Sequence, residues 1–181
     1  MKRYILLIAT LVTMSCGNKT DNKPVEIKDA KAELMKTISQ TEATALQATK
    51  SIDPILADSL MRLYDRFTTL YPQDTLCPFM MSKAVDVAAN TKNCVRALEF
   101  LERITDKYHN NTYVEWAYFY KGTVYADVCG DKDKALEAYG FFLDNYPQSS
   151  FAQDATVLLN MLKLNDEMQL IREFEAKNSE Q

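Results

Sequence analysis

The sequence predicts an all-α protein of antiparallel helical hairpins stacked into a short superhelix. The first observation is an internal repeat. Residues 96–117 and 134–155 superpose at a shift of 38, pairing Ala97 with Ala135, Leu98 with Leu136, Leu101 with Tyr139 and Ile104 with Phe142. Tyr108 then pairs with Tyr146, Tyr113 with Phe151 and Ala117 with Ala155; a weaker copy places Tyr64, Phe67 and Tyr71 one unit earlier. Self-similarity at this period marks stacked helix pairs. The second observation is helical spacing: Ala135, Leu136, Tyr139, Phe142, Leu143 and Tyr146 lie along one face. The third is that the chain has only 4 glycines and lacks a run of alternating apolar residues, which disfavours a sheet.

The chain begins with Lys2 and Arg3, an apolar run from Tyr4 to Met14, then Ser15-Cys16-Gly17. The run is too short for a spanning helix, which needs ~20 residues, and has the proportions of a signal-peptide core. Ser15-Cys16-Gly17 resembles the end of a bacterial lipoprotein signal, although Thr13 and Met14 depart from the usual Leu and small residue. The resemblance implies a leader at 1–15 and a lipid on Cys16. The competing reading is an ordinary secretory leader with Cys16 as an incidental thiol. Residues 16–28 read as the lipidated cysteine and a polar tether holding Gly17 and Pro24. Residues 29–178 form the repeat domain.

Helices are predicted near 31–47, 53–71, 76–89, 93–108, 113–128, 132–145, 151–163 and 166–177. Thr37, Ser39, Thr41 and Thr44 make the first a weak helix former. Asp53 before Pro54 provides a cap and a first-turn proline. Thr112-x-x-Glu115 and Ser150-x-x-Gln153 read as capping boxes. Gly130-Asp131 marks the turn between two helices, with Asp131 as cap. The last segment, with Met168, Ile171 and Phe174 on one face, reads as a capping helix that closes the array.

Composition excludes several classes. Taking Lys2 and Arg3 from 21 basic residues leaves 19 against 25 acidic, a formal charge of about −6 after the leader. That balance argues against nucleic acid, whose binding leans on phosphate neutralisation. Cys77, Cys94 and Cys129 form no Cys-x-x-Cys pair, and the one histidine, His109, is remote from them in sequence. No metal site is therefore predicted. An exported protein can hold a disulfide. Neighbouring hairpin turns bring Cys94 and Cys129 to corresponding edges, so a bridge between them is permitted; two buried thiols are the competing state. Asp127, Asp131 and Asp133 cluster at a turn without a calcium-loop pattern. Neither His109 nor any other residue belongs to a recognisable nucleophile, base or phosphate-loop constellation, so no enzyme and no cofactor are predicted.

The repeat resembles the tetratricopeptide family over residues 53–164. Gly122 stands at the position of close helix packing, with Tyr125 three residues on. Ala135 is the small residue at the crossing, Tyr139 the aromatic that follows and Pro147 the terminating proline. The preceding copy has Ala84 in place of the glycine and His109 in place of the proline, and the unit exceeds the usual 34 residues. The chain with its leader resembles short repeat lipoproteins of the Bacteroidota. More distantly, it is similar to the repeat lipoprotein of the outer-membrane β-barrel assembly machine.

In the register implied by that resemblance, Trp116, Phe119 and Thr123 face an inner groove, with Met81 and Val85 facing the same way one unit earlier. An apolar groove rimmed by aromatics suits a peptide or partner helix. The competing reading is that residues 29–50 cover the groove. The expected function is a lipid-anchored envelope scaffold that binds another envelope protein or a segment of one, in outer-membrane or cell-wall assembly. It would sit in the outer membrane, facing the periplasm. An accessory subunit of a glycan- or peptidoglycan-acting enzyme is the alternative, and a small-ligand carrier a third reading.

Overall fold

A computed structural model describes residues 25–47, 52–109 and 111–179. The leader, Cys16 and residues 48–50 of the proposed cover lie outside them. Seven helices follow in order: α1 (Val25–Leu46), α2 (Pro54–Leu70), α3 (Cys77–Asn90), α4 (Cys94–Lys107), α5 (Thr112–Thr123), α6 (Lys132–Asn145) and α7 (Ala152–Ser179). A π-helical stretch, Val124–Cys129, continues α5. Each helix packs on the next in sequence, and α3 also meets α5. This is the predicted all-α stack of hairpins, and the described residues contain no strand.

Local chemistry sets most of the boundaries. Asp53 Oδ1 accepts hydrogen bonds from the N–H groups of Ile55 (2.9 Å) and Leu56 (3.1 Å), ahead of Pro54. Asn93 caps α4 through the Arg96 N–H, and Asp131 caps α6 through the Lys134 N–H. The α5 cap is Asn111, not Thr112: its Oδ1 accepts from the Tyr113 N–H at 3.0 Å. Ser149 rather than Ser150 turns toward the start of α7, with its Oγ 3.4 Å from the Phe151 N–H. Helix α1 starts at Val25, earlier than predicted. Its threonines return their hydroxyls to the turn before: Thr37 to the Glu33 carbonyl, Thr41 to that of Thr37 and Thr44 to that of Gln40.

The helix crossings follow the repeat. Ala97 and Ala135 are fully buried at equivalent places. Gly122 lies under the Tyr139 ring, where an added Cβ would sit 2.5 Å from a ring carbon. A main core runs from Leu34 and Ile38 of α1 through Phe67, Met81, Val85, Phe100 and Ile104 to Val124. A second, smaller cluster gathers Tyr139, Phe142 and Ala155, with Phe119 and Phe151 packed against it.

The C-terminal region departs from expectation. Two helices, 151–163 and 166–177, are predicted there, but α7 runs unbroken for 28 residues. Leu164-Asn165-Asp166 contains neither glycine nor proline, so nothing interrupts the backbone pattern. The face carrying Met168, Ile171 and Phe174 is exposed rather than folded back over the last unit.

Candidate partner-binding face

The alternate helices α1, α3 and α5 build one face. On α3, the positions 79, 83, 86 and 90 recur at helical spacing and place Phe79, Lys83, Asp86 and Asn90 in a line. Lys83 Nζ lies 4.8 Å from the Phe79 ring centroid and donates to Glu42 Oε1 of α1 at 2.8 Å. The same Glu42 oxygen accepts the Tyr64 hydroxyl of α2 at 2.8 Å. This carboxylate therefore joins three helices. Burial, then the Glu42 carboxylate, holds the Tyr64 phenol far above its ordinary value of 10.0.

A cavity of about 500 Å³ opens beside that junction. Leu60, Val87 and Ile52 give it apolar walls; Glu42, Lys83, Asp86 and Asn90 give it a polar side.

On α5, Tyr113, Trp116, Tyr120 and Thr123 form the matching line. Trp116 and Tyr120 stack at 4.9 Å and 16°, and Tyr113 meets Trp116 edge-on at 6.4 Å. Burial raises the Tyr120 phenol first, and the negative charges of Asp86 and Asp127 raise it further. Asp86 reaches solvent, yet the surrounding protein pushes its own carboxyl upward through desolvation. Thr123 Oγ1 and Tyr139 Oη share a hydrogen bond of 2.9 Å, which ties this line to the buried Tyr139 of α6 beneath it. Stacked aromatic faces bordered by carboxylates match a segment that carries both apolar and cationic groups.

The predicted groove residues divide. Trp116 and Thr123 belong to this face. Met81 and Val85 do not: they are 1% and 0% exposed and sit inside the main core. Helix α3 is enclosed by α2, α4 and α5, so its buried arc is wide and takes in both residues. Leu34 and Ile38 of α1 belong to the same core, so the α1 part of the proposed cover helps to close it. Phe119 turns the other way, stacking on Phe151 at 5.1 Å and packing on Phe142 and Tyr139. Lys83, Asp86 and Tyr120 also belong to this face, and no apolar stripe in the sequence marks them: Lys83 and Asp86 lie on the mixed line 79–83–86–90 of α3, and Tyr120 lies one turn after Trp116 on α5.

The disulfide is formed between Cys94 and Cys129, with Cα atoms 5.0 Å apart. It ties the start of α4 to the end of the π-helical stretch. Lys92, at φ 58, donates from Nζ to the Asp127 carbonyl at 2.9 Å and fixes the same corner. Gly130 ends the stretch in the left-handed region at φ 67, and the Tyr125 carbonyl accepts from the Asp131 N–H at 2.9 Å. Cys77 is a buried thiol that donates to the Tyr71 carbonyl, and its desolvation raises its pKa. His109 is exposed in its loop. Among the described residues no cluster of His, Cys, Asp and Glu is grouped to hold a metal. No described helix is long and apolar enough to cross a membrane.

No protein-family model matches this chain, and comparison with curated proteins gives no match.

Proposed function

We propose that this chain is a non-enzymatic, lipid-anchored scaffold of the bacterial cell envelope. The lipid on Cys16 would hold it at the outer membrane, facing the periplasm, where it docks a segment of another envelope protein in outer-membrane or cell-wall assembly. The observation that carries the docking reading is the Trp116–Tyr120 stack at 4.9 Å, with the exposed carboxylates of Asp86 and Asp127 near enough for their charge to act on the Tyr120 phenol. Aromatic pairs of this kind anchor interfaces because they bury large area at low entropic cost. The two carboxylates favour a basic partner segment over an acidic one. The anchoring reading rests on Ser15-Cys16-Gly17 after a short apolar run. Lipid chains hold by burying methylenes, at ~0.8 kcal/mol each.

Two comparisons test the proposal. Cys16→Ser should leave the membrane fraction, and retention as tight as wild type would exclude the lipid. Mild crosslinking and pull-down from membranes should yield a stoichiometric envelope protein from wild type and markedly less from an Asp86→Asn, Asp127→Asn double variant. Equal recovery from both would remove the docking role from this face.

A further inference from the structure

Helix α7 is twice as long as the helix it packs against. At 1.5 Å per residue, α7 spans roughly 42 Å and α6 about 21 Å. Ala155, Leu158, Leu159 and Leu162 face the small cluster of α6, and the later turns run beyond it. A second stripe stays bare: Val157, Met161, Leu164, Met168, Ile171 and Phe174 are between 44% and 67% exposed. The first five are spaced alternately four and three residues apart. That spacing is the seam of a two-stranded coiled coil, where a 3.5-residue period keeps apolar side chains toward a partner helix.

We infer that α7 pairs with α7 of a second copy of this chain. Three features select that occupant. The stripe runs along one helix for eighteen positions, so a second copy matches it in length and chemistry without remainder, as an isologous contact requires. The area suffices: six side chains about half exposed offer roughly 600 Å² per copy, and about 1,200 Å² over two copies lies at the lower bound of stable interfaces. Finally, the described side chains of the overhanging turns are exposed, with no described residue packed over them, and isolated helical turns are marginal in water without packing. The helix carries more acidic than basic residues, which disfavours an anionic lipid surface as the occupant.

The test uses the full-length chain carrying Cys16→Ser, which removes both the lipid and that thiol. With Leu164→Cys added, oxidation with copper phenanthroline should convert most of the chain to a covalent dimer. Thr69→Cys, exposed on α2, should give almost none. Sedimentation should report twice the chain mass for the parent. It should report a single chain mass for a Leu164→Glu, Ile171→Glu variant that keeps the Cys94–Cys129 linkage and loses helix content only to the extent of the overhanging turns. A monomeric parent at tens of micromolar, or equal crosslinking at both positions, overturns the inference. So does partition of the parent onto phosphatidylglycerol vesicles that the double glutamate variant abolishes, since the stripe would then belong to a lipid surface.

Discussion

The Tyr139 ring lies against the backbone of Gly122, so close that a Cβ there would fall 2.5 to 2.7 Å from three ring carbons. The Tyr139 hydroxyl is fixed as well, by Thr123 one residue along α5. The ring cannot withdraw without losing that bond and its place in the small cluster. Gly122→Ala should therefore destabilise the protein by about 1–3 kcal/mol, the usual range for overpacking. Gly140, inside α6 with open space around its Cβ position, is the control. Gly140→Ala should add up to ~1 kcal/mol through helix propensity. Urea melts of both variants check the pair, and equal shifts would deny the close approach.

Joining Cys94 to Cys129 closes a loop of separation 35. The chain-entropy relation gives such a loop about 4 kcal/mol. Cys129→Ser or full reduction should lower the melting temperature substantially. Peptide mass mapping without reductant should find the two cysteines linked and Cys77 free. An intact protein whose melting ignores reductant would show that the bridge adds no stability.

Two aspartates should give opposite pH responses. Lys31 donates a hydrogen bond to Asp74, which lowers the Asp74 pKa below the ordinary 3.8, with a further contribution from the Leu76 N–H. Stability from this group is present above the ordinary value and is lost as pH falls through the depressed one. Asp74→Asn should therefore cost stability at pH 7, and the difference should vanish in acid. The Asp86 pKa is raised by desolvation, so its ionised form is disfavoured in the fold. Its penalty is absent below the ordinary value and complete above the raised one. Asp86→Asn should stabilise at pH 7 by less than about 0.5 kcal/mol, because solvent screens an exposed group. Melts of both variants from about pH 2 to 7 check the signs; a parallel response would contradict them.

The three-helix junction at Glu42 gives a fourth expectation. Glu42→Ala removes the acceptor for both Lys83 and Tyr64. Breaking hydrogen bonds to a charged group costs about 1.5–3 kcal/mol when the partners are buried, and Tyr64 is. Hydrogen exchange should quicken in α1 before α4 or α6. Uniform protection across all helices would show that α1 is held by its apolar contacts alone.

The sequence makes the crossings legible because the repeat sets them side by side. Ala97, Gly122, Ala135 and Tyr139 sit where small and aromatic residues must alternate for two helices to approach, and the fold uses them so. The binding face is less legible. Met81 and Val85 share the helical spacing of a groove stripe, but an apolar period cannot say whether a neighbour covers it. Three helices surround α3, and that is a property of the stack rather than of any local segment. Asn111 wins the cap from Thr112 by one position, a difference within the ordinary ambiguity of helix ends. The π-helical stretch has no local signature either. It coincides with the corner where Lys92 and the Cys94–Cys129 bridge grip the end of α5 from another unit.

Site-specific photocrosslinking from Asn90 reads occupancy of the docking face itself. Asn90 is exposed on the line that carries Lys83 and Asp86, and Thr69 on α2 is exposed away from it. With benzoylphenylalanine at position 90, cells should yield one discrete adduct with another envelope protein, and Trp116→Ala should diminish it. The same probe at position 69 should yield none. No protein adduct at position 90, or identical adducts from both positions, would contradict a docking face on α1, α3 and α5.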